Sequence, residues 1–157
     1  MRTPPYTMQL VPVIEGDFEE LAEIRIAAMR ESLERVGRFD RVRARTRLLV
    51  AFSPENTRFI LVDGERAGFY TARPTDEGVE LDHLYILPDF QNRGVGSQVL
   101  RLILTEADHQ GSAVFVGALK ESDSNRFYVR HGFVLASKGE WDNYYVRPAP
   151  VAGAVPA

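Results

Sequence analysis

The segment from Gln91 to Ser97 combines a basic residue with two glycines at the point where a predicted helix begins. It follows a predicted strand that ends at Pro88. Glycines let the backbone approach a ligand closely, and the first N–H groups of a helix have no partner within the helix. These N–H groups lie at the positive end of the helix dipole and can bind phosphate oxygens. The segment therefore predicts an anion site for a pyrophosphate, with Arg93 adding a positive charge.

Two other phosphate-binding motifs do not fit the same residues. A dinucleotide-binding Gly-x-Gly-x-x-Gly pattern needs a glycine or alanine where Val99 stands. A Walker loop needs Gly-Lys followed by Ser or Thr, which does not occur in the chain. The spacing Gln91-x-x-Gly94-x-Gly96 after a strand is more specific than a pair of glycines alone.

Hydrophobic periodicity predicts a mixed α/β arrangement around this segment. Asp63-Gly64 is typical of a tight hairpin turn, so the strands on either side are expected to be antiparallel. Helices are predicted over about 18–36, 39–49, 94–109 and 123–130, and strands over 8–14, 59–62, 67–71, 79–87, 113–118, 133–136 and 144–147.

Length and hydrophobicity bound the domain organisation and the location. With 157 residues, 45% of them hydrophobic, the chain fits one domain, expected over 1–147. The Pro-rich, uncharged segment 148–157 is expected to be disordered. No apolar run approaches the roughly 20 residues that cross a bilayer, and the N-terminus lacks the apolar core of a secretory signal. A cytoplasmic protein without a membrane partner is expected.

Charge and cysteine content exclude several classes of function. A net charge of −3 gives no general attraction for nucleic acid, so none is expected as a partner. The arginine-rich window 35–47 also contains acidic residues and is interpreted as a solvated helix face. The chain has no cysteine and only three scattered histidines, so we predict no metal site and no thiol nucleophile.

Together, two segments resemble the GNAT superfamily of N-acetyltransferases. The family signature, Gln/Arg-x-x-Gly-x-Gly/Ala after a strand, matches Gln91–Gly96, and Ile86-Leu87-Pro88 is similar to its preceding stretch. Further along, 126–133 looks like the family's Tyr-x-x-x-Gly-Phe element. The resemblance covers about 59–146. It implies a twisted, mostly antiparallel sheet of six to seven strands flanked by about four helices, with a V-shaped opening between strands 79–87 and 113–118.

The resemblance also implies acetyl-CoA as the acyl donor. Backbone groups of Leu84, Tyr85 and Ile86 would then pair with the pantetheine arm, as an added strand does. The segment that starts at Gln91 would hold the pyrophosphate through Asn92, Arg93, Gly94, Val95, Gly96 and Ser97.

Tyr128 stands where many family members place a tyrosine that protonates the leaving thiolate as general acid. Alternatively, Tyr128 is a core aromatic residue on a helix. The sequence departs from the family at Glu121, where an asparagine is often found, and Asn125 or Ser122 is a candidate to replace its contact with the cofactor.

The general base is left between two candidates. Glu80 occupies a strand position where some members, including histone acetyltransferases, use a glutamate, although it also fits a solvated strand end. His83 is the second candidate, because histidine titrates near neutrality. Successive strand residues face opposite sides, so Glu80, Asp82 and His83 cannot serve together. His109 and His131 are interpreted as helix-end residues.

The expected reaction is transfer of an acetyl group from acetyl-CoA to a primary amine of a small molecule, amino acid or peptide. Direct attack without an acyl-enzyme is expected, since the chain lacks both cysteine and a Gly-x-Ser-x-Gly elbow. The alternative is a non-catalytic acyl-CoA-binding or sensing module of the same fold. A homodimer is possible, with the strand near 141–147 as its edge. Candidates for the acceptor pocket are Arg25, Arg30, Tyr70, Arg73 and Trp141.

Overall fold

The computed structural model of the chain describes residues 5–151, which contain four α-helices and a seven-stranded sheet. The helices are α1 (Phe18–Arg35), α2 (Arg41–Val50), α3 (Val95–His109) and α4 (Ser124–Arg130). The strands are β1 (Met8–Pro12), β2 (Thr57–Val62), β3 (Glu65–Thr75), β4 (Gly78–Ile86), β5 (Ala113–Leu119), β6 (Val134–Lys138) and β7 (Asp142–Arg147). The predicted mixed α/β fold with a mostly antiparallel sheet is confirmed.

The sheet order is β1-β2-β3-β4-β5-β7-β6, so the sheet is open and ends in β1 and β6. The pairs β1/β2, β2/β3, β5/β7 and β6/β7 are antiparallel, whereas β4 and β5 are parallel. The β4/β5 register runs from Gly78 opposite Ala113 to Leu81 opposite Val116. The prediction that the strand near 141–147 is an edge is wrong, because β7 pairs on both sides and β6 takes the edge.

The predicted hairpin at Asp63-Gly64 is confirmed. Both turn residues have positive φ, 49° and 83°, which is the backbone of a two-residue type I′ turn. The Asp63 carboxylate also accepts a hydrogen bond from the Thr7 N–H at 2.8 Å. Local sequence therefore fixes the register of β2 against β3.

The chain divides into two compact units. Unit 1 comprises the chain through Thr71 together with His83–Gly96, and unit 2 comprises Ala72–Asp82 and the chain from Ser97 onward. The division passes through β3, β4 and the start of α3. The expectation of one domain over 1–147 stays a prediction, and of the predicted tail, 152–157 lie outside the described residues.

Each unit has its own buried apolar side chains. The core of unit 1 packs α1 and α2 on β2 and β3 through Phe18, Leu21, Leu48, Phe59 and Phe69, all at most 8% exposed. In unit 2, the buried face of α3 contributes Val99, Leu100 and Leu104, and β5 contributes Val114 and Val116. This burial at helical and strand spacing is what the hydrophobic periodicity predicts.

The arginines at the start of α2 lie on a solvated surface, as interpreted from the sequence. Arg41 pairs with Glu23, and Arg45 pairs with Glu19, with all four side chains between 44% and 69% exposed. Exposed pairs of this kind contribute little stability. Over the part of the chain that the structure describes, no helix is both long and apolar enough to cross a bilayer.

Gly68 allows β3 and β4 to approach closely. On the β2 side of β3, the register shifts between Ile60 and Leu61, which indicates a bulge. On the other side, Leu87 N donates a hydrogen bond to the carbonyl oxygen of Ala67 at 2.8 Å. A β-carbon at position 68 would lie well inside contact distance of the Tyr85 carbonyl oxygen and 3.1 Å from the Ile86 Cα. Both neighbours are backbone atoms, so side-chain rotation cannot relieve the overlap.

Gly68→Ala is therefore expected to lower the free energy of unfolding by about 2–3 kcal/mol, as overpacking against fixed atoms does. Urea denaturation followed by circular dichroism measures the change. Gly16→Ala is the matched control, because the nearest atom to an added β-carbon there is 3.9 Å away. Equal midpoints for the two variants would contradict the close approach.

Candidate active site

The predicted anion site is an exposed loop between β4 and α3. After Ile86, a short 3₁₀ turn over Pro88–Phe90 leads into four exposed residues, Gln91 to Gly94, and α3 begins at Val95. Asn92 and Gly94 have φ values of 62° and 81°. The two left-handed residues reverse the chain so that it enters α3, and an exposed loop followed by helix N–H groups is open to a ligand from solvent.

Gln91 connects the loop to the end of the strand. Its side-chain Nε2 donates a hydrogen bond to the carbonyl oxygen of Ile86 at 2.8 Å. The Arg93 guanidinium carbon lies 5.6 Å from the centre of the Phe90 ring. The side chain of Gln91 therefore holds the loop in shape, while Arg93 remains at the surface with its charge.

At the end of β4, the backbone of Tyr85 faces β3. Its carbonyl oxygen is the atom that a β-carbon on Gly68 would strike. Because the N–H and C=O directions alternate along a strand, those of Leu84 and Ile86 face away from β3. Of these, the Ile86 carbonyl oxygen is already paired with Gln91.

The side chains of Tyr85 and His83 form a polar cluster with Arg25 of α1. Arg25 is only 7% exposed and donates from Nη1 to the Ala44 carbonyl oxygen at 2.8 Å and from Nε to the Tyr85 hydroxyl at 3.3 Å. The Tyr85 hydroxyl lies 3.2 Å from His83 Nδ1. Both rings also contact Phe69, whose ring centroid lies 6.0 Å from that of His83 and 5.4 Å from that of Tyr85.

In unit 2, Glu80 lies among other charged side chains. Burial is the main cause that raises the pKa of Glu80 above its ordinary value, and the negative charges of Asp82 and Glu77 add to it. Arg73 opposes the shift, but its guanidinium is bound in a two-point pair to Asp82 at 2.9 Å and 3.2 Å. A carboxylate with a raised pKa is better suited to accept a proton near neutral pH.

Tyr128 lies on α4 and is buried, with 5% of its surface exposed. Its ring contacts Phe127 and Phe133 at centroid distances of 5.2 Å and 5.3 Å. These contacts fit the core-aromatic alternative and hold the ring in one orientation.

Asn125 uses its side-chain amide within the protein. The Nδ2 group donates to the carbonyl oxygens of Leu119 and Ser122, both at 2.9 Å. Oδ1 accepts from Asn143 at 3.0 Å and from the Tyr145 hydroxyl at 2.8 Å. The amide thus ties α4 to β5 and β7, and a direct contact to a cofactor would require one of these bonds to break.

Glu121 has a φ of 69°, in the left-handed region that asparagine and glycine tolerate better than glutamate. Replacing Glu121 with Asn is therefore expected to raise the free energy of unfolding by about 0.5–1 kcal/mol. Thermal or urea denaturation measures it. Glu140→Asn is a control for the lost charge, since Glu140 is exposed and its φ is not positive. An equal or opposite effect at the two positions would contradict the strain at Glu121.

The predicted site residues are divided between the units. Unit 1 holds His83–Ile86 and the loop through Gly96, and unit 2 holds Glu80, Ser97, Asn125 and Tyr128. Of the acceptor-pocket candidates, Arg25 is buried, whereas Arg30 is exposed and pairs with Glu34 at 2.8 Å.

Sequence reasoning missed the close approach at Gly68 and a cavity in unit 2. An isolated glycine inside a strand signals a bulge or a close backbone approach, and that signal was present at Gly68. The cavity has a volume of about 420 Å³, and its lining residues are Asn125, Arg126, Val129, Arg130 and Tyr145. No spacing in the sequence marks it.

Comparison with known proteins identifies the family. A family model described as an acetyltransferase (GNAT) domain matches residues 54–135, more than half of the chain. The chain therefore belongs to the GNAT acetyltransferase family, as its sequence resemblance implies. No curated protein sequence matches the chain.

Several solved structures have a similar fold. PaiA N-acetyltransferase from Thermoplasma acidophilum, in complex with coenzyme A, is similar with a TM-score of 0.74 and 14% identity over 90% of this chain and 99% of that one. An acetyltransferase from Thermus thermophilus gives 0.71 and 21% over 90% and 97%. The ribosomal-protein-S18-alanine N-acetyltransferase from Escherichia coli gives 0.66 and 12% over 95% and 99%. At these identities the likeness shows the fold.

Proposed function

We propose that this protein is an acetyl-CoA-dependent N-acetyltransferase that moves the acetyl group to a primary amine by direct attack. The observation that carries the proposal is the loop Gln91–Gly94, with left-handed residues at Asn92 and Gly94 and a brace to Ile86, directly before α3. It lies within the part of the chain that matches the GNAT family model. A relative of this fold binds coenzyme A in its crystal structure.

The loop and the helix start are proposed to bind the pyrophosphate of acetyl-CoA. Backbone N–H groups supply the hydrogen bonds, and Arg93 supplies a charge at the surface. The proposed contacts are made by Asn92, Arg93, Gly94, Val95, Gly96 and Ser97. Gln91 acts on the ligand indirectly, because its side chain is engaged with Ile86.

The end of β4 beyond its pairing with β5 is proposed to pair with the pantetheine arm through the backbone of Leu84, with Ile86 beside the thioester. The backbone of Tyr85 is proposed to hold this end of β4 in place against β3, because its carbonyl oxygen faces that strand. With the Ile86 carbonyl oxygen held by Gln91, the Ile86 N–H is the group we assign to the thioester oxygen. A fixed backbone donor there stabilises the negative charge that develops as the amine attacks.

Proton transfer is assigned to Glu80 and Tyr128. The amine nitrogen forms a bond to the thioester carbon, and Glu80 takes the proton that the nitrogen loses. The carbon–sulfur bond then breaks, and Tyr128 gives its proton to the thiolate. The raised pKa of Glu80 supports its role as the base. Asn125 is assigned a structural role and no contact with the cofactor, because its side-chain amide is fully hydrogen-bonded within the protein.

The proposal is tested by following the thiol of coenzyme A with a thiol-reactive dye while amines are added to protein and acetyl-CoA. The chain has no cysteine, so the protein gives no background. Amine-dependent thiol release supports the proposal. Binding of acetyl-CoA without release across small amines, amino acids and peptides would instead favour the non-catalytic acyl-CoA-binding module.

Tyr128→Phe is expected to lower kcat about tenfold at pH 7. The loss is modest for an acid catalyst, because a thiol with a pKa of about 8.5 leaves readily without full protonation. Phe127→Leu, which alters a neighbouring ring, is the packing control, and equal losses in the two variants would contradict an acid role.

A further inference from the structure

The cluster of Arg25, Tyr85 and His83 contains a hydrogen-bond chain whose direction can be assigned. A guanidinium can only donate, so in the 3.3 Å contact the Tyr85 oxygen is the acceptor of Arg25 Nε. The same hydroxyl lies 3.2 Å from His83 Nδ1. Among the residues that the structure describes, Nδ1 is the acceptor that the Tyr85 O–H reaches.

The direction of this chain fixes the state of the imidazole. If Nδ1 carried the proton, the Tyr85 oxygen would accept two hydrogen bonds and its own O–H would be left without that acceptor. If Nδ1 is unprotonated, the O–H donates to it, so the Tyr85 hydroxyl accepts from Arg25 and donates to His83. A partly buried polar group left unpaired is costly, so the second arrangement is favoured.

We infer that Arg25, acting through Tyr85, holds His83 as the neutral tautomer with its proton on Nε2, and that His83 is therefore not the base of acetyl transfer. The second half rests on the proposed function. In this tautomer the Nδ1 lone pair is engaged by Tyr85 and Nε2 already carries a hydrogen. No lone pair is left to accept a proton from an amine, which leaves that role to Glu80.

The surroundings of His83 within unit 1 agree with this assignment. The contacts of His83 there include the hydroxyl and ring of Tyr85 from β4 and the ring of Phe69 from β3, and Arg25 of α1 reaches His83 through the Tyr85 hydroxyl. Arg25 and Tyr85 are positioning residues, since they act through the imidazole and the end of β4. Arg25 also ties this end of the strand to α2 through the Ala44 carbonyl oxygen.

The tautomer is measured directly by imidazole ¹H–¹⁵N correlation spectra of the ¹⁵N-labelled full chain at pH 7.5. The three histidines give a built-in comparison, because His131 Nδ1 lies 2.8 Å from the Phe127 carbonyl oxygen and must donate to it. His83 should show a protonated Nε2, and His131 a protonated Nδ1. A protonated Nδ1 on His83 in the wild type would overturn the inference.

Tyr85→Phe removes only the hydroxyl and should convert His83 to a mixture of tautomers, with no change at His131. Arg25→Met should do the same to a smaller degree, and Arg25→Lys, which keeps a donor, should restore part of the wild-type pattern. If Arg25→Met does not fold, the Tyr85→Phe spectrum still decides. An unchanged His83 signal in Tyr85→Phe counts against the chain of hydrogen bonds.

The catalytic half is tested with His83→Asn, whose side-chain oxygen takes the place of Nδ1 but does not titrate. We expect kcat/KM to fall less than tenfold, and the acid side of the pH–rate profile to stay in place. A loss of about a hundredfold together with disappearance of that limb would make His83 the base. If the wild type transfers no acetyl group, the proposed function fails, while the spectra still decide the tautomer.

Discussion

Replacing Gly94 with proline is expected to abolish measurable acetyl-CoA binding while the protein stays folded. Gly94 has a φ of 81°, and proline fixes φ near −65°, so the loop cannot close in its present shape. The N–H groups that follow would no longer point at one anion. Loss of two hydrogen bonds to a charged group, about 1.5–3 kcal/mol each, corresponds to at least a hundredfold weaker binding.

Isothermal titration with acetyl-CoA measures this loss, and circular dichroism confirms the fold. Gly94→Ala and Gly111→Ala form a matched pair, because both positions have positive φ and open space around an added β-carbon. Both should lose about 1 kcal/mol of stability, but only the change at Gly94 should weaken binding. Micromolar binding that survives Gly94→Pro would remove the loop from the cofactor site.

Replacing Glu80 with glutamine is expected to lower kcat about 10²–10⁴-fold, the usual contribution of a general base. Binding of acetyl-CoA should remain, because Glu80 has no part in the proposed cofactor contacts. Burial and nearby carboxylates raise the pKa of Glu80. The ionised form is therefore disfavoured in the folded state, and the stability that the protonated form contributes is lost as the pH rises through that pKa. The Glu80→Gln variant should therefore have a free energy of unfolding at pH 7.5 that is no lower than that of the wild type.

The pH–rate profile gives the second measurement on Glu80. Activity should fall on the acid side at a pH above the ordinary glutamate pKa, because the base must be ionised. Asp82→Asn removes a repelling charge and releases Arg73, so the acid limb should move to lower pH. Tyr70→Phe is the control for the position of this limb, because the raised pKa of Glu80 is set by burial and by Asp82, Arg73 and Glu77, not by Tyr70. A limb that stays in place in Asp82→Asn, or survives in Glu80→Gln, would contradict the assignment.

The fold could be predicted from sequence because its signals are local. Strand alternation, helical spacing and the Asp63-Gly64 turn each depend on residues close together in the chain, and all are found in the structure. The edge strand was predicted wrongly. Periodicity shows that the segment near β7 is a strand, but which strands flank it depends on pairing over long sequence distances.

The local shape of the candidate site could be predicted where a motif spans consecutive residues, whereas its tertiary contacts could not. The loop at Gln91–Gly94 follows from glycine spacing. The sequence does not show that the Gln91 side chain donates to the Ile86 carbonyl oxygen. It also does not show that the Asn125 amide is hydrogen-bonded within the protein. The contact of Arg25 with Tyr85 joins positions 60 residues apart, and no local pattern specifies it.

The brace from Gln91 to Ile86 also bears on the kinetics of ligand capture. Ordering a flexible backbone costs about 1–2 kcal/mol per residue, and this entropy is lost either during folding or during binding. Because the Gln91 side chain closes the loop onto its own strand at 2.8 Å, the loss is included in the free energy of folding. Under the proposed function, a phosphate ligand would therefore meet a loop that is already ordered, and diffusion and charge would set its association rate.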